Sequence, residues 1–145
     1  MEVRTGSCLC GAVRYQVRGA PLVARICWCR ACQKISGNGT ANAIFPADAI
    51  AVDGAPRVFL RRADSGNEIA SHFCAACGCH LFAGSSASPQ FRVVRLGTLD
   101  DPSSIRPSIN MWAASAPAWA NLDPDLAAEA RQPAPMQARP PAGTT

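Results

Sequence analysis

From Val13 to Arg18 the chain alternates, with Val13, Tyr15 and Val17 on one side and Arg14, Gln16 and Arg18 on the other. A period of two predicts a strand with one face buried. Further short apolar runs predict strands at Ala41 to Phe45, Ala49 to Val52, Arg57 to Arg61, Glu68 to Phe73 and Phe91 to Leu96. Turn signals at Asp53-Gly54, Ser65-Gly66-Asn67 and Gly84-Ser85-Ser86 separate several of them. A helical period is suggested only around Arg30 to Ile35, where Ser36-Gly37-Asn38-Gly39 ends it, and for one turn at Leu126 to Arg131. The pattern therefore predicts a mostly β domain, a meander of short antiparallel strands. Trp112 and Trp119 are expected to pack a C-terminal strand onto the core.

Composition divides this pattern. Six of the twelve prolines fall from Pro117 onward, and Pro133 to Thr145 offers almost nothing to bury. The expected organisation is one domain over residues 1–122 and a proline-rich, disordered tail over 123–145. At 145 residues with 6% aromatic content, the core is thin, so crosslinks matter. The net charge of +4 comes from thirteen arginines and Lys34 against ten acids, with no basic block. That pattern argues against nucleic acid as a partner and slightly favours small anions. Neither a signal-like run near Met1 nor a membrane-length apolar stretch is present, so the chain is read as soluble and cytoplasmic.

A reducing compartment changes how eight cysteines are read, because disulfides seldom persist there while zinc thiolates do. Their spacing is short and paired: Cys8-x-Cys10, Cys27-x-Cys29-x-x-Cys32, and Cys74-x-x-Cys77-x-Cys79. On an extended strand Cys8 and Cys10 would face one way and offer half a site. Cys74 to Gly78 reads as a zinc knuckle and supplies the other half, which closes a structural, four-thiolate ion. Cys27, Cys29 and Cys32 bring three ligands and leave a position open, the catalytic arrangement. The alternative is a second closed site completed by Cys79, His72 or His80. Arg25, Arg30 and Lys34 flank this loop, favour thiolate, and offer charge to an acidic thiol.

Three segments together resemble the glutathione-dependent formaldehyde-activating enzymes, a family that shares its domain with centromere protein V. They are Gly6-Ser7-Cys8-Leu9-Cys10-Gly11-Ala12-Val13-Arg14-Tyr15, Cys27-Trp28-Cys29-Arg30-Ala31-Cys32-Gln33-Lys34, and Phe73-Cys74-Ala75-Ala76-Cys77-Gly78. The resemblance covers about the first 120 residues. It implies a β-tent fold and two zinc ions per chain. Cys8, Cys10, Cys74 and Cys77 would hold the structural ion, and Cys27, Cys29 and Cys32 the catalytic one. It also implies a carbon–sulfur lyase that joins glutathione and formaldehyde reversibly. Arg30, Lys34 and Trp28 are the expected substrate contacts, Trp28 standing where many members carry histidine. Asn110 likewise replaces a histidine common before the aromatic residue.

Two function classes follow. An enzyme would use the open ion on a small thiol and aldehyde. A zinc-stabilised binding module, as the centromere relatives suggest, would instead present a large basic or apolar patch. The absence of a basic block favours the enzyme. Oligomeric state is not legible.

Overall fold

The computed structural model describes residues 1–134. The strands in chain order are β1 (Val3–Ser7), β2 (Arg14–Arg18) and β3 (Val23–Cys27); the helix α1 (Arg30–Ser36) follows. Then come β4 (Thr40–Pro46), β5 (Ile50–Asp53), β6 (Arg57–Arg62), β7 (Glu68–Phe73), β8 (His80–Ser85), β9 (Phe91–Arg95), β10 (Ile109–Met111) and β11 (Ala127–Ala128). The molecule is mostly β and mostly antiparallel, as the pattern predicts. It is a meander only from β6 to β9. The larger sheet runs β11-β10-β3-β4-β9-β8-β7-β6, and its β10 lies parallel to both β3 and β11. A smaller sheet has the order β1-β2-β5.

The two sheets enclose the main core between them. Val13, Tyr15 and Val17 from the small sheet and its turn meet Ala24, Ala43, Phe45, Phe82 and Val94 from the large one. Tyr15 and Phe82 cross edge to face with ring centroids 5.0 Å apart, a favoured aromatic geometry. The Tyr15 hydroxyl reaches the Thr98 hydroxyl at 2.8 Å. Gly6 lies opposite Tyr15 across the β1–β2 pair, and a Cβ there would collide with the tyrosine ring and the Thr98 carbonyl. Glycine is required here by close approach rather than by φ.

Alternation along the large sheet fixes what its second face carries. Ala24, Ala43, Phe45 and Val94 point into the core, so Arg25, Cys27, Thr40, Asn42 and Arg95 point to the opposite face. The register Cys27↔Thr40, Arg25↔Asn42↔Arg95 aligns them across three strands. Continuing through Val93↔Ala83, Ala83↔Ser71 and Ile69↔Arg61 places Arg61 on that face as well. Thr40, Asn42 and Ser71 are buried there, so this side of the sheet is polar yet covered.

Three expectations are corrected. Cys8 and Cys10 do not lie on an extended strand: β1 ends at Ser7, and both occupy the turn into β2, where Gly11 takes φ 78°. Residues Leu126 to Arg131 form no helical turn. Ala127–Ala128 is a strand, and the N–H groups of Trp112, Ala113 and Ala114 donate to the carbonyls of Arg131, Glu129 and Ala130. Backbone pairing to β10, rather than side-chain burial, holds this segment, and it crosses the division expected at residue 122. Of the expected tail, residues 135–145 lie outside the described residues. Trp119 is 70% exposed, outside the core it was expected to join, whereas Trp112 is half-buried.

Candidate metal centres

The first centre is built from two tight turns. In one, the Cys8 carbonyl accepts from Gly11 N–H at 3.1 Å and the Cys8 sulfur accepts from Val13 N–H at 3.2 Å. In the other, Gly78 N–H donates to the Cys74 carbonyl at 2.8 Å, with Gly78 at φ 75°, a conformation that costs other residues. These turns bring the sulfurs of Cys8, Cys10, Cys74 and Cys77 within 4.8 Å of one another. Cys10 lies 3.7 Å from both Cys8 and Cys74. The four could hold one metal ion. Burial opposes ionisation of Cys8, yet the Val13 N–H and the neighbouring thiols pull it down to about 6. Cys10, despite the Ala12 backbone bond, is driven up to about 11 by the thiolate character of Cys8. Cys77 is also lowered, by backbone hydrogen bonds from Cys79 and Cys10, while Cys10 resists, so ion binding must expel at least its proton.

The second centre sits where β3 runs into α1. Trp28 N–H donates to the Met111 carbonyl at 3.0 Å, which pins the cysteine loop to β10. Cys29 is the N-cap of α1, its sulfur accepting the Cys32 N–H at 3.4 Å. At the other end Gly37, at φ 76°, donates to the Gln33 carbonyl at 2.7 Å. The helix therefore spans one cap to the other, and Cys27, Cys29 and Cys32 fall within 4.8 Å of one another. They too could hold an ion. Cys79, His72 and His80 do not join them. Among the described residues no fourth cysteine, histidine or carboxylate belongs to the group. His72 faces Arg92 at 3.0 Å, His80 stacks on Phe73, and Cys79 packs against the main core.

Electrostatics at this centre favours one thiolate. Hydrogen bonds from Cys27 and Cys32 pull Cys29 down to about 2, and the Arg61 charge adds to the effect. Cys27 is correspondingly pushed up, first by its bonds to Cys29 and Cys32 and then by burial. At Cys32 the bond with Cys27 favours the thiolate, as does one from Thr40, but Cys29 and burial outweigh them and raise it. A chain of hydrogen bonds supports Thr40. Asn42 Nδ2 donates to Thr40 Oγ1 at 3.0 Å, and Arg95 donates to Asn42 Oδ1 at 2.6 Å. Such outer partners orient metal ligands and tune them.

The expected substrate contacts are placed differently from one another. Trp28 is 4% exposed, and its indole donates to Asn110 Oδ1 at 3.2 Å, so it forms a wall behind the loop. Arg30 and Lys34 are exposed on α1, and Arg30 is bonded to Gln33. Gln33 Nε2 in turn bridges the carbonyls of Trp28 at 2.7 Å and Ser115 at 3.0 Å. Trp112 and Met111 pack beside the trio. Trp112 takes φ 56°, a strained value for a bulky residue and one met at functional positions. Sequence reasoning missed Gln33, Thr40, Asn42, Arg61 and Arg95. No local spacing could reveal them, although a buried strand reading Thr-Ala-Asn-Ala-Ile breaks the apolar pattern at two positions. A shallow groove of about 220 Å³, lined in part by Glu68, His72, Gly84, Phe91 and Arg92, includes none of the cysteines.

A family model and a relative in sequence name the same family, and a solved structure shares the fold. Residues 3–115 match the family model described as glutathione-dependent formaldehyde-activating enzyme. A Halomonas elongata protein carrying that family's name is 32% identical over 91 residues, or 59% of this chain. The match spans 58% of that relative's length. A crystal structure of a Rhodobacter sphaeroides protein shares the fold with a TM-score of 0.52 and 25% identity, covering 71% of this chain and 91% of that one.

Proposed function

This chain belongs to the glutathione-dependent formaldehyde-activating enzyme family, and from that footing we propose that it is a zinc-dependent carbon–sulfur lyase. Its substrates are a thiol of the glutathione type and an aldehyde of the formaldehyde type. The observation that carries the reading is the thiol trio of Cys27, Cys29 and Cys32, which no fourth ligating side chain joins among the described residues. Three protein ligands and a free position are the catalytic form of a zinc site, and four thiolates the structural form. The donor chemistry fits, since closely set thiolates suit zinc. Cys8, Cys10, Cys74 and Cys77 would hold the structural ion, giving two per chain.

When bound, zinc supplies a lowered thiol pKa and Lewis-acid polarisation of a carbonyl. In the joining direction the thiol sulfur bonds to the aldehyde carbon, and the thiol proton ends on the carbonyl oxygen. No oxidant or reductant is consumed. The chain's own residues set the geometry. The N-cap at Cys29 and the Met111 contact fix the loop, Gln33 ties α1 to the Ala113–Ser115 turn, and Thr40 supports Cys32. The buried Trp28 excludes water from behind the loop. No helix among the described residues is long and apolar enough to cross a membrane, in keeping with a small-molecule enzyme of the cytoplasm.

A second reading, a zinc-stabilised binding module, draws support from β6, an edge strand on which Val58, Phe59 and Leu60 are all half or more exposed. Proton NMR separates the two. Purified zinc-loaded protein is expected to speed the formation of S-hydroxymethylglutathione from glutathione and formaldehyde, or of the adduct of a related thiol and aldehyde. No acceleration across a panel of such pairs would leave the binding module as the better account.

A further inference from the structure

We propose that Arg25, Arg61 and Arg95 form an anion subsite that holds the carboxylates of an acidic thiol substrate beside the Cys27, Cys29 and Cys32 centre. The inference rests on the proposed function and specifies its substrate class. Strand register places the three arginines on one face of the large sheet, the face that also carries Cys27. Arg25 is two residues from Cys27 on the same strand and pairs across β4 with Arg95, through Asn42. Arg61 comes from the far edge strand, yet its charge reaches Cys29, as that of Arg25 meets Cys27. All three therefore belong to the surroundings of the thiol trio.

Their hydrogen bonding is incomplete. The Nε atoms of Arg61 and Arg95 are buried without a partner, an arrangement native structures avoid unless a ligand or water completes it. Neither these two nor Arg25 has an acid beside it: the ion pairs among the described residues are Arg4 with Glu2 and Arg106 with Asp123. Three guanidinium groups share this partly covered face with no carboxylate among them; the thiol trio is the negative charge they meet, and it offers no bidentate partner for the hydration they lose. A carboxylate offers what is missing, because it accepts two parallel N–H bonds from a guanidinium fork. Asn42, accepting from Arg95 at 2.6 Å, fixes the orientation of one fork. The exposed Arg30 and Lys34 of α1 lack this preorganisation and keep their hydration.

The test is calorimetric titration of the zinc-loaded protein with S-methylglutathione, which keeps both carboxylates but has no free thiol. Wild type is expected to bind it at least tenfold more tightly than its diethyl ester. R95Q and R25Q, each loaded with two zinc ions before titration, should lose at least tenfold in affinity for the diacid, with little change for the diester. Should R95Q fail to fold, R25Q and R61Q carry the same comparison. Equal affinity in wild type and variants overturns the subsite, as does failure of wild type to bind, or loss of binding in R30Q and K34Q alone. Arginine-dependent binding without any thiol and aldehyde turnover would uphold the subsite and reject the lyase instead.

Discussion

The sulfur of Cys10 lies 3.7 Å from that of Cys74, although 64 residues of chain separate them. The contact joins the turn after β1 to the turn after β7, so it staples the small sheet to the large one. An ion there closes a long loop and contributes folding energy directly. Cys77→Ser is therefore expected to give poor soluble yield or loss of cooperative unfolding, because a domain of this size has only about 5–15 kcal/mol to lose. Chemical denaturation of the purified variant checks this. A transition as sharp and as late as wild type would contradict the structural role of the first centre.

Thr40→Val removes the hydroxyl that supports Cys32 while nearly preserving shape. Loss of an outer partner typically weakens a metal site by about 10–100-fold. Competition with a chelator should show the second ion leaving more readily at that scale, with the first ion unaffected. Equal retention of both ions would show that Thr40 serves packing alone.

His80 is held neutral, first by burial and then by the positive charge of Arg95, so its pKa lies below the ordinary value. A group lowered in the folded state contributes stability that is present above its unfolded pKa and lost as pH falls towards the folded one. Stability should thus decline as acid is added below about pH 6.5, the unperturbed histidine value. Imidazole NMR of the zinc-loaded protein should place the His80 midpoint below that value. A midpoint above it would mean that a carboxylate or another acceptor faces the ring.

Gly6→Ala sets a methyl against the Tyr15 ring and the Thr98 carbonyl, at the seam between β1 and β2. Overpacking of this kind costs about 1–3 kcal/mol. Thermal unfolding should show a clear fall in Tm with zinc content intact, whereas an unchanged Tm would mean that the seam yields freely.

How much of this was legible in the sequence depended on how local the signal was. β2 announced itself because Tyr15 and Val17 are buried and Arg14, Gln16 and Arg18 are not. The β4 to β7 strands and β9 were found within a residue or two, as was α1 with its Gly37 stop. β3 and β8 escaped because neither alternates: β3 runs straight into the cysteine loop, and β8 carries three consecutive buried residues, Leu81, Phe82 and Ala83. β10 and β11 are too short for any period, and their parallel pairing is purely tertiary. The thiol groups were readable because three or four sulfurs on one ion need short spacings. The arginines around the second group come from strands far apart in sequence, and only the register unites them.

The central claim, that the second centre is an open zinc site carrying the chemistry, is met most directly by Cys29→Ser. Wild type should contain close to two zinc ions per chain by elemental analysis. The variant should remain folded, contain close to one, and lose the acceleration of thiol and aldehyde addition seen by proton NMR. A variant that drops one zinc and keeps full activity, or one that unfolds as badly as Cys77→Ser, would contradict the claim.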